Sequence, residues 1–350
     1  MAYTNIDDPT LYFSSTIWTG NGVDDRAIVI DGTGMQPDWV WIKSRNDTDN
    51  HRLVDSVRGA TKHIESDNDT AEQTSSNVKT FTSTGVTLST NGSVNANSEL
   101  YASWSWKAGT SFTNDASATG IGSIDSAGSV NTDAGFSIIS YTGTGANATI
   151  AHGLGSVPKM YIARNIDDVE QWTTYHVGIG ATHHLRLNTT DAKIDEAEVW
   201  NDTEPTSTVF SVGSSGAPNG DGNAHIAYCF AEKQGYSKFG SYTGNGNADG
   251  PFVYTGFKPA MVILKLSSVA GENWYIFDNK RDTDNVMTQI LYPNLGNAEA
   301  TGTTNIDFLS NGFKLRNAGD FLNGSGRIQI YMAFAESPIV NSNSIPNNAR

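Results

Sequence analysis

The sequence predicts an all-β protein: three divergent antiparallel β-sandwich units, jelly-roll-like, in tandem. Three observations carry this. Short β-branched or aromatic runs, separated by Gly, Asn, Asp and Ser, recur about every 8–12 residues, the spacing of sandwich strands. The 35 glycines, with few long apolar runs, argue against α/β and bundle folds. One order of signals occurs three times along the 350 residues, and a chain of that length exceeds one ordinary core.

Each copy opens on an aromatic residue and a glycine turn: Trp18-Thr19-Gly20-Asn21-Gly22, Tyr141-Thr142-Gly143-Thr144-Gly145 and Tyr242-Thr243-Gly244-Asn245-Gly246. Glycine supplies the positive φ that tight strand connections demand. A proline then leads into a β-rich run: Pro37 before DWVWIK, Pro158 before KMYIAR and Pro259 before AMVILK. Proline at a strand's first residue costs no ladder bond. Next comes a lone tryptophan in the second and third copies, Trp172 and Trp274, where the first has His51-Arg52-Leu53-Val54-Asp55. Each copy closes on a strand alternating small and large residues: Tyr101–Trp106, Ile226–Glu232 and Tyr331–Glu336.

These anchors divide the chain into a first unit at 1–108, a Gly/Ser/Asp-rich linker at 109–135, a second unit at 136–235, a third at 236–338 and a C-terminal tail at 339–350. Units two and three follow almost without a break and are expected to be rigidly coupled. The one helix suggested by the pattern is short, residues 191–199.

Composition excludes several classes of function. The net charge of −15 comes without any Lys/Arg cluster of the kind that neutralises phosphates, which argues against nucleic acid as a partner. An evenly acidic surface gives solubility and repulsion between copies. The N-terminus lacks the basic and apolar regions of a secretion signal, and no apolar run approaches a bilayer span, so no membrane insertion is expected. The single cysteine, Cys229, lies in an apolar run and reads as a buried thiol.

Candidate sites are few. Asp47-Thr48-Asp49-Asn50 and Asp282-Thr283-Asp284-Asn285 follow the central strands of copies one and three, and alternating oxygen ligands of this kind can bind Ca²⁺. Neither loop carries the glycine and terminal glutamate of an EF-hand, and turns capping strand ends account for them equally. The calcium candidates are thus Asp47, Asp49, Asp282 and Asp284, and no other cofactor is implied. The seven histidines, His183 and His184 among them, lack metal-ligand spacing and read as surface or sandwich-edge residues. No Gly-x-Ser-x-Gly elbow accompanies Gly213-Ser214-Ser215-Gly216, and the glycine runs do not lead into helices that would bind phosphate. Most aromatics recur at repeat anchors, which favours packing. Trp200 stands outside them among polar neighbours and is the candidate for stacking on a ligand. Nothing here points to an enzyme, although 37 acidic residues could hide a glycosidase pair.

The segments YTGNGNADGPFVYTGFKPAMVILK, FLSNGFKLRN, IYMAFAESPIV and NSIPNNAR, with ELYASWSWKAG in the first copy, resemble an uncharacterised repeat domain family found in tail and other virion proteins of marine bacteriophages. The resemblance covers most of the chain in pieces and is strongest from about residue 236 onward. It implies a virion location after assembly in the host cytoplasm, as a tail- or fibre-associated structural protein taking part in assembly or host attachment. It implies other virion proteins as partners and a homo-oligomer, and supplies no catalytic residues. The chain starts almost directly on its first unit, which makes capsid head decoration a second expectation. A carbohydrate-binding adhesin for host surface sugars is the third.

Overall fold

A computed structural model describes residues 2–31 and 34–347, and within these the protein is mostly β, with several antiparallel sheets and no closed barrel. In the first unit one sheet has the order Phe13–Thr19, Leu100–Trp106, Trp39–Ser44, Arg52–Asp55. The third repeats it with Ser237–Thr243, Ile328–Pro338, Phe257–Leu266 and Trp274–Asp278. The second does the same with Phe136–Thr142, Ala224–Phe230, Met160–Asn165 and Thr173–His176. In every unit, therefore, the closing strand lies between the opening strand and the proline-led strand.

Each of these inner sheets buries both faces. Outward, it covers a smaller sheet of its own unit: Arg26–Val29, Gly85–Leu88 and Val78–Thr82 in the first, Ala148–Ala151 and Val209–Val212 in the second. The third unit's outer sheet runs Phe252–Tyr254, Gly312–Leu315, Ala300–Leu309 and Met287–Ile290. Three separate apolar clusters fill these sandwiches. Inward, the alternate residues of all three sheets meet in one shared core that includes Trp39, Trp41, Trp104, Trp106, Trp172, Tyr228, Trp274 and Phe334.

The shared core has a near-threefold centre. Trp106, Phe230 and Phe334 occupy the same position in the three closing strands, and their ring centroids form a triangle with sides of 6.3, 5.7 and 6.0 Å. Edge-to-face geometry at such distances is the favoured packing of aromatic rings. Because every unit supplies one wall of this core, none can expose its inner face without opening the other two.

The structure alters four sequence expectations. The stretch 109–135 is not a linker: Thr110–Asn114 and Ser126–Asn131 form a hairpin that extends the second unit's inner sheet along its opening strand. Its low hydrophobicity is misleading because glycine is required there; a Cβ at Gly128 would sit 1.8 Å from the Ile138 carbonyl oxygen. The helix expected at 191–199 shrinks to Ala197–Trp200, preceded by a short strand at Ile194–Asp195. Pro259 lies inside its strand, at a register shift between Lys258 and Met261, where a bulge tolerates the missing N–H. Six of the seven histidines are interior residues: His51, His63, His152, His176, His184 and His225 are all buried, and only His183 is partly exposed. Cys229 is buried as expected, and desolvation pushes its thiol pKa far up.

Candidate functional site

The four calcium candidates do not converge. Asp47 Oδ1 accepts from the Thr48 backbone N–H at 2.7 Å, and Asp49 Oδ1 accepts from Ser93 Oγ at 3.3 Å. Asp282 Oδ2 accepts from the N–H groups of Thr288 and Gln289, both at 2.6 Å, closing a loop, while Asp284 accepts from Thr283 Oγ1. Among the described residues, no three His, Cys, Asp or Glu side chains gather as a metal-holding group. The first loop instead wraps a buried ammonium, Lys43 Nζ, which donates to the carbonyls of Ser44 and Asp47.

Trp200 is corrected outright. The short helix turns its indole inward, to 0% exposure, where it meets Tyr161 edge-on at 4.8 Å in the second unit's own core. Its polar neighbours Asn201 and Asp202 follow the helix with left-handed φ of 52° and 46°, as turn residues do. Their polarity reports the turn, not the tryptophan.

The repeated anchors assemble into a constellation that is nearly the same in each unit. The polar tip of the opening aromatic donates to a backbone carbonyl: Trp18 Nε1 to Val94 at 3.0 Å, Tyr141 Oη to Pro218 at 2.7 Å and Tyr242 Oη to Leu322 at 2.7 Å. The residue after each carbonyl is a buried asparagine ending a one-turn helix: Asn95, Asn219 or Asn323. Its Oδ1 accepts from the N–H of Asn21, Thr144 or Asn245 in the glycine turn, and its Nδ2 donates to carbonyls of the turn and beyond. The two glycines have different duties. The second has left-handed φ of 64°, 63° and 66° at Gly22, Gly145 and Gly246. The first permits close approach, since a Cβ at Gly20, Gly143 or Gly244 would lie within 2.3 Å of a carbonyl oxygen. The asparagine was missed in the sequence, although its three occurrences are spaced nearly as the opening aromatics are.

Asn323→Ala is expected to lower stability by about 3 kcal/mol, because it strands the Asn245 N–H and the Asn247 carbonyl and removes the bond to the Asn317 carbonyl. Urea denaturation followed by tryptophan fluorescence measures it. A loss below about 1 kcal/mol would contradict the role assigned to this side chain.

A second set of repeated residues ties the units together. The last residue of the fourth inner strand is Asp55, His176 or Asp278, and all three are buried. Asp55 Oδ2 accepts from Tyr228 Oη of the second unit at 2.7 Å. His176 Nε2 donates to the Tyr331 carbonyl of the third at 3.0 Å, and Asp278 Oδ2 accepts from Trp104 Nε1 of the first at 3.1 Å. The chain of contacts runs from unit one to two, two to three and three to one. A reciprocal set uses the residue four positions earlier in each copy: Trp172 Nε1 donates to Glu65 O, Trp274 Nε1 to Arg186 O and His51 Nε2 to Tyr292 O. His51 thus does in the first copy what tryptophan does in the others.

The cations that end the proline-led runs, Lys43, Arg164 and Lys265, are likewise buried at one repeated position. Desolvation pulls the two lysines down to about 8 and Arg164 to about 10, and all three donate to backbone carbonyls. Arg164 reaches across to the Asp69 and Thr70 carbonyls of the first unit at 2.6 and 2.7 Å.

Together these features define an all-β protein whose recurrent polar residues fix turns and seam three sandwiches around a single core. The chain belongs to a domain family of unknown function, DUF7483, whose model matches residues 8–338. No curated protein matches it.

Proposed function

We propose that this protein is a non-enzymatic structural component of a bacteriophage particle, associated with the tail or fibre and serving assembly or host attachment. The observation that carries the structural part is the fate of the repeated polar residues. Asn95, Asn219 and Asn323 hold turns, and Asp55, His176 and Asp278 join units, so what recurs in the chain serves a rigid body. The virion location is supported by the resemblance of the repeat segments to virion domains. Other virion proteins and further copies of the chain are the partners this reading implies.

Capsid head decoration is the second reading, favoured by the closed arrangement of three near-equivalent units about the Trp106–Phe230–Phe334 centre. Immunogold labelling of intact particles separates the two. Label at the tail supports the first, label over the head supports the second, and purified particles without label reject a virion role.

A further inference from the structure

The geometry points to a glycan-binding face on the third unit, formed by Phe252 and Tyr254 and suited to a neutral sugar chain; it rests on the attachment reading above. Phe252–Tyr254 is the edge strand of the third unit's outer sheet, and the residue between the two aromatics, Val253, points into the core. Alternation along the strand leaves Phe252 and Tyr254 on the solvent face, 44% and 53% exposed.

The other two units act as internal controls. Val253 pairs with Phe313, Ile28 with Val86 and Ile150 with Phe210, so the flanking positions correspond across the three outer sheets. Where the third unit has Phe252 and Tyr254, the first has Ala27 and Val29, and the second has Thr149 and Ala151. The sandwich therefore forms without aromatic side chains at these two positions. Exposed rings that the fold does not require are the residues to examine for binding.

The surroundings select the ligand chemistry. Phe252 pairs across the sheet with Lys314, and Lys314 with Asp307, so a charged donor and a charged acceptor extend the row from the ring. Lys314 Nζ is engaged by Asp249 at 2.8 Å, and Arg316 by Asp307 at 3.5 Å, which leaves no net positive field for a polyanion. Tyr3 Oη lies 3.5 Å from Tyr254 Oη and adds a hydroxyl at the other end. A second copy is disfavoured by the charge of −15 on each chain. Apolar ring faces flanked by paired polar groups match a pyranose, whose C–H face is apolar and whose rim is hydroxylated.

The test is native affinity electrophoresis of the full chain through gels containing dextran, laminarin, mannan or galactan. At least one polysaccharide is expected to retard the protein. Phe252→Ala and Tyr254→Ala should each weaken the retardation at least tenfold, while Ile17→Ala on the first unit leaves it unchanged. Both aromatics are exposed, so circular dichroism should show all variants folded. No retardation in any gel, or retardation indifferent to both substitutions, overturns the proposal. Wild-type dimers in sedimentation that Phe252→Ala abolishes would assign the face to self-association and overturn it too. Particle labelling is independent of these results, so failure here leaves the virion reading to its own test.

Discussion

Acidification from pH 7 to pH 4 is expected to unfold the protein in one cooperative step. Four buried histidines are held in a neutral state by geometry as well as by desolvation. His51 Nε2 donates to the Tyr292 carbonyl while Nδ1 accepts from Trp41 Nε1 at 2.7 Å. His176 Nε2 donates to the Tyr331 carbonyl while Nδ1 accepts from the Gly178 N–H at 3.0 Å. His152 and His225 show the same division of labour, accepting from Leu154 N and Gly220 N and donating to the carbonyls of Thr206 and Asn223. A second proton on any of these rings would point at an N–H donor.

Burial lowers His51 from its ordinary 6.5 to about 3, with Lys43 and Arg52 pressing the same way, and lowers His176 and His152 to about 4. The unfolded chain takes up these protons near pH 6.5, the folded chain only near 4 or below. The contribution of these histidines is therefore fully present above pH 6.5 and is lost as the pH falls through that window, by about 1.4 kcal/mol per pH unit for each group. By pH 4 His51 and His176 alone cost about 3 kcal/mol each, against a total stability on the order of 5–15 kcal/mol. Asp67 opposes them, since burial raises it to about 6 and its protonation below that pH favours the folded state. One carboxyl offsets about one histidine.

Near-ultraviolet circular dichroism against pH measures the transition. A native signal persisting to pH 3.5 would refute the expectation. His176→Gln should shift the midpoint to lower pH, because an amide donates to the Tyr331 carbonyl without titrating.

How much of this was legible before the structure depended on what each residue does locally. The strands were legible because alternation is a local property: Tyr101–Trp106 reads as a strand from its own residues. The opening aromatics, glycine turns and closing strands marked three units because each signal repeats in sequence. The hairpin at 110–131 was not legible, since Gly128 and its serines pair closely with a strand and look like a linker for the same reason. Trp200 was misread because polarity next in sequence belonged to a turn. The seam residues were least legible. Asp55, His176 and Asp278 are not all of one type, and their partners lie 173, 155 and 174 positions away, so only folding reveals that they share a place. The aromatic pair at Phe252 and Tyr254 was visible as letters, but its distinction comes from the register that aligns it with Ala27, Val29, Thr149 and Ala151.

Asp278→Ala is expected to cost about 4 kcal/mol. Asp278 Oδ1 accepts from the N–H groups of Lys280 and Arg281, both at 3.0 Å, and so folds the turn after its strand. Its Oδ2 accepts from Arg281 Nε at 2.5 Å and from Trp104 Nε1 across the seam. Arg281 is buried, lies over the Trp104 ring at 5.6 Å, and has Glu299 as its second carboxylate at 2.9 Å. Glu299 is also held by Arg45 of the first unit, so the pair belongs to a network spanning two units. Removing Asp278 leaves a buried guanidinium with half its countercharge and an indole N–H without an acceptor. Breaking such a pair costs about 3–5 kcal/mol because the surviving charge stays desolvated. Trp104→Phe, which deletes only the cross-seam bond and part of one ring, is expected to cost less, about 2 kcal/mol. Guanidinium denaturation of the wild type and both variants tests the order. If Trp104→Phe proved the more damaging, packing of the central aromatics rather than the buried charge network would be what secures the seam between units one and three. Asp55→Ala, at the matching position with Arg58 and Tyr228, should reproduce the Asp278→Ala loss at the first seam, since its carboxylate accepts the same four kinds of bond.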